Sequence, residues 1–225
     1  MPAPAHVRDL RALDGIKVQV VDAAPIGINV RFTVATYSGV VDDLRKAYAE
    51  TSAAQHDGLT ASDFSYNTGS LRCPRCEGTG EVSLDVQFLP DVDIVCPECS
   101  GSRFAPRADA YRRNGITLPG LLQCTVREAL TATTDLRRVH KHLAALDELG
   151  LGYLTLGEAT PALSGGEAQR LKLVSQMHRD QSDAVFVLDE PSVGLHPLDV
   201  RTLLTVLQRL SDRGATIIVI DTTST

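Results

Sequence analysis

Hydrophobic residues in this chain recur with two different periods, and the switches between them mark the elements. Residues 16–21, IKVQVV, form a run rich in β-branched side chains and predict a short strand, broken by Pro25 and Gly27. Residues 39–50 place Val40, Leu44, Ala47 and Tyr48 on one helical face. Residues 53–69 are polar and predict a loop, and residues 71–104 form a separate unit around four cysteines. A short helix is expected from Thr125. A longer amphipathic helix over 135–149 carries Leu136, Val139, Leu143 and Leu146 on one stripe, with Gly150 as its stop. Residues 165–179 predict a helix opening on Ser-Gly-Gly, and residues 184–188 a buried strand. A helix over 198–211, closed by Gly214, has Leu203, Leu204, Leu207 and Leu210 as apolar residues, and residues 215–220, ATIIVI, predict a second buried strand. Strand, helix and strand with short links imply a parallel α/β sheet. The sequence shows neither an internal repeat nor a low-complexity tract.

Composition narrows the function classes. A chain of 225 residues is one large domain or two small ones. Its net charge of −6 argues against a globally basic nucleic-acid coat. No apolar run reaches the ~18 residues of a membrane span, and the first ten residues, MPAPAHVRDL, lack a signal-peptide plan, so a cytoplasmic protein without membrane contact is expected.

The cysteines carry the first candidate chemistry. Cys73-x₂-Cys76 and Cys96-x₂-Cys99 are 19 residues apart, a spacing that predicts one four-thiolate Zn²⁺ site. Each CxxC turn aims two sulfurs at one point. Gly78, Gly80 and Gly101 let the chain fold back beneath the metal, and the intervening segment reads as a hairpin or ribbon. Four cysteines close the coordination shell, so such a metal is no Lewis acid. Residues 71–113 hold six Arg against seven Asp and Glu, which is no basic patch. Cys124 reads as a small apolar residue at a helix edge.

LSGGEAQR at 163–170 carries the second. A Ser-Gly-Gly turn opening a helix offers free N–H groups to a phosphate. AVFVLDEP at 184–191 is a hydrophobic strand ending in two carboxylates, one suited to Mg²⁺ and one to water, and SVGLHP follows. Their order and spacing resemble the signature motif, Walker B strand and D-loop of an ABC-type ATPase. The four lysines, Lys17, Lys46, Lys141 and Lys172, never follow a glycine, so these residues contain no GxxxxGK[ST] loop and carry at most half of an ATP site.

CPRCEGTG, VQFLPDV, CPECSGSRF, TVREAL, GLGYLTLG, LSGGEAQRLKL and VLDEPSVGLH, in this order, resemble the C-terminal half of the UvrA family, the damage-sensing ATPases of bacterial nucleotide excision repair. VVDAAPIG and ATYSGVVDDLRKAYA fit the same register, so the likeness runs from about residue 13 to residue 220. It implies an ABC-type α/β core without its Walker A region, with an inserted Cys₄ zinc ribbon. The division it implies is a nucleotide-core remnant at 1–70, a zinc module at 71–104 and a signature and Walker B subdomain at 105–225. The implied cofactors are Zn²⁺, with ATP and Mg²⁺ only where a partner supplies Walker A. The implied partners are a complete UvrA-like subunit, an endonuclease subunit and damaged DNA, the last bound weakly by this chain alone.

Residue by residue, Ser164, Gly165 and Gly166 match the signature that closes over ATP held by another nucleotide domain. Asp189 matches the carboxylate that holds Mg²⁺ through water, Glu190 the catalytic base that orients the attacking water, and Leu195 and His196 the D-loop. Three departures stand out. Ala23 replaces the family's Q-loop glutamine. Ile28, Val30 and Phe32-Thr33-Val34 replace its Arg, Pro and Ser-Asn-Pro. Thr222 replaces its γ-phosphate-sensing histidine. Such a chain is expected not to hydrolyse ATP alone. It is either a truncated or split ATPase acting in trans, or a degenerate relative that binds zinc only. CxxCxGxG also occurs in DnaJ-type chaperones, a third reading that leaves LSGGEAQR unexplained.

Overall fold

The computed structural model describes residues 17–84, 92–177, 184–192 and 197–221, with side chains at 197–199 excepted. Strand β1 (Lys17–Val21) leads through a turn to helices α1 (Val34–Tyr37), α2 (Val40–Ala49) and α3 (Ser52–His56). Strands β2 (Glu81–Leu84) and β3 (Val92–Val95) form the ribbon, and β4 (Arg112–Arg113) and β5 (Ile116–Thr117) a two-residue hairpin. Helices α4 (Leu118–Gln123), α5 (Val126–Ala132), α6 (Arg137–Glu148) and α7 (Gly165–Gln176) follow. Strand β6 (Ala184–Asp189), helix α8 (Pro197–Asp212) and strand β7 (Thr216–Ile220) complete the order.

Helix boundaries follow the capping chemistry. Thr125 with Glu128 and Ser164 with Glu167 form reciprocal capping boxes at the starts of α5 and α7. Asp42 and Asp43 sit in the first turn of α2, where the helix dipole favours them. Gly150 closes α6 with φ 72°, a left-handed step that costs glycine little. On α6, Val139, Leu143 and Leu146 are buried against α5, α2 and α7, as the stripe predicts.

The main sheet is parallel with order β1-β6-β7, pairing Val21 with Leu188 and Leu188 with Val219. One face buries Val21, Phe186 and Leu188. The other leaves Val18, Val20, Ile218 and Ile220 exposed. The expected buried strand at 215–220 is therefore an edge strand, with only Ile217 packed against the core. Of the four leucines on α8, Leu203, Leu207 and Leu210 are buried together with Val206, and Leu204 is exposed.

The segment 53–69, read as a polar loop, supplies core instead. Phe64 and Tyr66 are 1% and 2% exposed. Phe64 meets Tyr111 edge-on at 5.6 Å, and Tyr66 meets Phe104 likewise at 6.0 Å. Two isolated aromatics among Ser, Asp, Thr and Asn have no periodicity to reveal them. Leu143 tests the helical core: Leu143→Ala removes a fully buried side chain and is expected to cost about 2–5 kcal/mol in chemical denaturation.

Candidate functional site

Two centres emerge. The first lies where the parallel strands end. Strand β6 carries the chain to Asp189, which is exposed, and to Glu190, which is half-buried. Glu190 adopts φ 46°, and its N–H donates to the Ile220 carbonyl at 2.7 Å. A left-handed glutamate costs about 1–2 kcal/mol, so the strand exit is held against its preference. Open α/β sheets bind ligands at this carboxyl edge.

Helix α7 is fastened to the same edge. The Gln169 side-chain amide donates to the Val21 carbonyl at 2.9 Å and to the Asp189 carbonyl at 2.7 Å. One buried side chain thus ties the ends of β1 and β6. Lys172 reaches Asp22 Oδ1 at 2.6 Å and the Asp22 and Ala24 carbonyls at 3.1 and 2.7 Å. This bond, first among the influences on Asp22, holds its carboxyl below the usual carboxylate range.

At the other end of α7, Ser164 and Gly165 are exposed and Gly166 is half-buried. Among the described residues, the Gly165 and Gly166 amides have no acceptor. The glycine at 165 has a steric reason: a Cβ there would lie 3.0 Å from the Ala23 carbonyl oxygen and 3.1 Å from Ala23 Cβ. So the Ser164 turn stands against the turn after β1. The turn is not purely electropositive. Glu167 accepts from the Ser164 N–H at 2.7 Å and from the Tyr153 hydroxyl. Burial opposes its ionisation, but these hydrogen bonds prevail and its pKa is lowered. Leu195, His196 and Thr222 lie outside the described residues.

The second centre is the cysteine cluster. The four sulfurs of Cys73, Cys76, Cys96 and Cys99 lie within 4.8 Å of one another, all are buried, and none forms a disulfide. Cys73 and Cys96 stand 3.9 Å apart, and Cys76 and Cys99 stand 3.6 Å apart. Thiolates in a tetrahedron with bonds of about 2.3 Å are about 3.8 Å apart, so the donor set fits a four-coordinate metal. Burial pushes Cys99 up to about 12. At Cys96 burial acts in the same sense, but the amides of Cys99 and Glu98 and the neighbouring thiols overcome it and bring the group to about 7. A divalent cation here would ionise the set and crosslink the ribbon.

Geometry also shows a repeat that the sequence reading missed. CPRCEGTG and CPECSGSR superpose with an offset of 23 residues. Glu77 and Ser100 take φ 50° and 48°, Gly78 and Gly101 take 80° and 82°, and Gly80 and Arg103 take 83° and 72°. The closing bonds are reciprocal: Cys73 N–H donates to the Arg103 carbonyl at 3.0 Å and Cys96 N–H to the Gly80 carbonyl at 2.9 Å. The knuckles differ at Arg75 against Glu98, Glu77 against Ser100 and Thr79 against Ser102, but only at the last position, Gly80 against Arg103, does one of the two lack a side chain. Cys124 is half-buried at the end of α4, its thiol donating to the Gly120 carbonyl at 3.4 Å, in keeping with a packing role.

Known proteins share this arrangement. A family described as "AAA domain, putative AbiEii toxin, Type IV TA system" matches residues 100–220. UvrABC system protein A of Bacillus subtilis is 40% identical over 220 residues, 97% of this chain and 23% of that protein. Its counterpart in Halalkalibacterium halodurans is 42% identical over 206 residues, 91% of this chain and 22% of that protein. The chain belongs to this AAA-domain family, and over nearly its whole length it is UvrA-like. The crystal structure of UvrA2 from Deinococcus radiodurans matches with a TM-score of 0.86 at 40% identity, covering 92% of this chain and 26% of that one. The fold is therefore the UvrA ABC ATPase-like α/β fold. The chain spans about a quarter of the length of these relatives. Among the described residues no helix is long and apolar enough to cross a membrane.

Gln169, Lys172 and Arg103 are the residues that sequence reasoning passed over. Gln169 and Lys172 stand three apart inside the UvrA-like motif, one face of one helix. Arg103 was visible only as the arginine that stands where the first knuckle has Gly80.

Two measurements check these centres. The chain is expected to bind one equivalent of Co²⁺ with a tetrahedral thiolate absorption spectrum, displaced by Zn²⁺, and Cys96→Ser is expected to abolish it. Because the Asp22 pKa is depressed, its stabilising effect is present above the ordinary aspartate value of 3.8 and is lost as pH falls below it. Lys172→Met should therefore lower the denaturation midpoint at pH 7, and the gap to wild type should shrink as the pH drops toward 3.

Proposed function

We propose that this chain is a signature and Walker B segment of a UvrA-type ATPase of nucleotide excision repair that acts in trans. The observation that carries this reading is the exposed, serine-capped start of α7, registered through Gln169 to the Asp189–Glu190 strand end. Ser164, Gly165 and Gly166 present hydroxyl and amide donors to the γ-phosphate of ATP bound by a second nucleotide domain. Asp189 holds Mg²⁺ through water and Glu190 orients the attacking water, where a partner supplies the Walker A loop. The partner is a complete UvrA-family subunit, and damaged DNA is bound by the assembly rather than by this chain, whose ribbon region is not net basic. Zn²⁺ at Cys73, Cys76, Cys96 and Cys99 staples the ribbon and takes no part in hydrolysis.

The division of labour is nucleotide-core strand and turn at 1–70, zinc module at 71–104 and signature subdomain at 105–225. Pairing of β1 with β6 supports treating the first and last as one functional core. The compartment is the cytoplasm.

A second reading, a relative that binds zinc only, is favoured by Ala23. The residue that faces Gly165 has no side chain with which to reach a metal or phosphate. Kinship over 97% of the chain accounts for the knuckles and leaves the chaperone reading without support.

Alone, the chain is expected to bind ATP with a Kd weaker than about 1 mM. With a complete UvrA it is expected to associate about tenfold more tightly in the presence of a non-hydrolysable ATP analogue than without one. Ser164→Arg, which fills the turn with a long cation, is expected to remove that difference. Pull-down and calorimetry measure both. Absence of association, or association indifferent to nucleotide and to Ser164→Arg, leaves the zinc-only reading standing.

A further inference from the structure

Arg103 joins the two centres, and its peculiarity is local. It closes the second cysteine knuckle in the left-handed region, φ 72°, where the first knuckle uses Gly80 at φ 83°. A glycine would serve the turn better, so the side chain has to justify the strain. That side chain is 6% exposed and forms no salt bridge among the described residues, the Glu81 carboxylate acting on it only at longer range. Its guanidinium donates to the carbonyls of Val30 at 3.0 Å, Gly78 at 3.3 Å and Gly157 at 3.4 Å, and lies 5.4 Å over the Tyr66 ring. The planar fork suits several acceptors at once, which an ammonium does not.

Each acceptor belongs to a different part of the chain. Gly78 is in the first knuckle. Val30 begins the segment that caps α1 through Thr33. Gly157 begins the segment that runs to Ser164, and the two segments are cross-tied by Val34 N–H to the Glu158 carbonyl at 3.0 Å and Thr160 N–H to the Phe32 carbonyl at 2.8 Å. Meanwhile the Arg103 carbonyl holds the amide of the ligand Cys73.

We propose that Arg103 is a positioning residue that registers the cysteine knuckles against the segment leading into the Ser164 turn, so that metal occupancy sets how firmly that turn is held. The metal half of this statement rests on the reading of the four cysteines as a metal site. The strut half does not.

The chain carries its own control, because Gly80 shows that glycine closes a knuckle. Amide exchange of the full chain is measured for wild type, Arg103→Gly and Arg103→Lys, each zinc-loaded and after chelator extraction. Arg103→Gly is expected to retain one equivalent of zinc, with affinity within about twofold of wild type, while Val34, Gly157 and Thr160 exchange about tenfold faster and α6 amides are unchanged. Chelation is expected to speed the same three amides in wild type but to add less than about twofold in Arg103→Gly, a non-additivity that a separate structural role would not produce. Arg103→Lys, with stem and charge but no fork, is expected to fall between.

Exchange in Arg103→Gly within about twofold of wild type overturns the proposal, as do additive effects of chelation and substitution. If Arg103→Gly also loosens α6, Arg103→Lys decides: zinc lost together with the three amides would make Arg103 a packing residue of the knuckle only. Should wild type take up no zinc, the metal reading fails by itself, and the metal-free comparison still decides the strut.

Discussion

Strands β1 and β6 are separated by more than 160 positions in sequence, and one side chain closes the gap between their ends. Gln169 gives both amide hydrogens to backbone carbonyls, Val21 on one strand and Asp189 on the other. Buried carbonyls left unpaired there would cost about 1–3 kcal/mol each. The consequence is positional. With Gln169 fixed, α7 has one rotation about its axis, so Lys172 falls on Asp22 three residues later and Ser164 falls at the surface five residues earlier. The carboxylates of Asp189 and Glu190 are placed by the same bond that places the turn.

Electrostatics limit what this edge does by itself. Asp22, Asp189, Glu190 and Asp221 all lie at or just beyond the carboxyl ends of the three strands. Lys172, the cation beside them, is already engaged by Asp22 and two carbonyls. A triphosphate approaching this edge meets carboxylates, and the helix start that would greet it carries Glu167. At a few ångströms, like charges near a protein surface repel by several kcal/mol, which exceeds what two free amides and a partial helix charge return. The arrangement suits a nucleotide already neutralised by Mg²⁺ and by cations on another surface.

Periodic features were legible in the sequence and aperiodic ones were not. The stripe of α6, the apolar run of β6 and the CxxC spacing each involve several residues obeying one rule, and all three stand in the structure. Phe64 and Tyr66 obey no rule beyond being aromatic, and their burial depends on Tyr111 and Phe104 arriving from distant parts of the chain. On α8, apolar type alone did not separate the exposed Leu204 from the buried Val206. For β7 the residue types were read correctly, but its exposure depends on what covers the sheet. The candidate site divides likewise. Its carboxylates, glycines and cysteines announce themselves by type, whereas Gln169, Lys172 and Arg103 act through backbone carbonyls, which no sequence pattern displays.

The ribbon explains why a metal and a strut belong together. Strands β2 and β3 expose Leu84, Val92 and Ile94, and the four cysteines cluster apart from the main core with, among the described residues, only Val82 packed against them. A two-stranded hairpin with so little buried area is marginal in water. Its order therefore has to be imposed, from one side by a crosslink among the sulfurs and from the other by contacts to the body. Leu71, Phe104 and Tyr66 supply the apolar part of the second anchor, and Arg103 the polar part. Gly78 shows how tight this junction is: a Cβ there would lie 1.6 Å from the Tyr66 carbonyl oxygen, so the knuckle backbone rests directly on the body. With no apolar core of its own among the described residues, the knuckle meets the body through these contacts, Arg103 to the Val30 and Gly157 carbonyls among them.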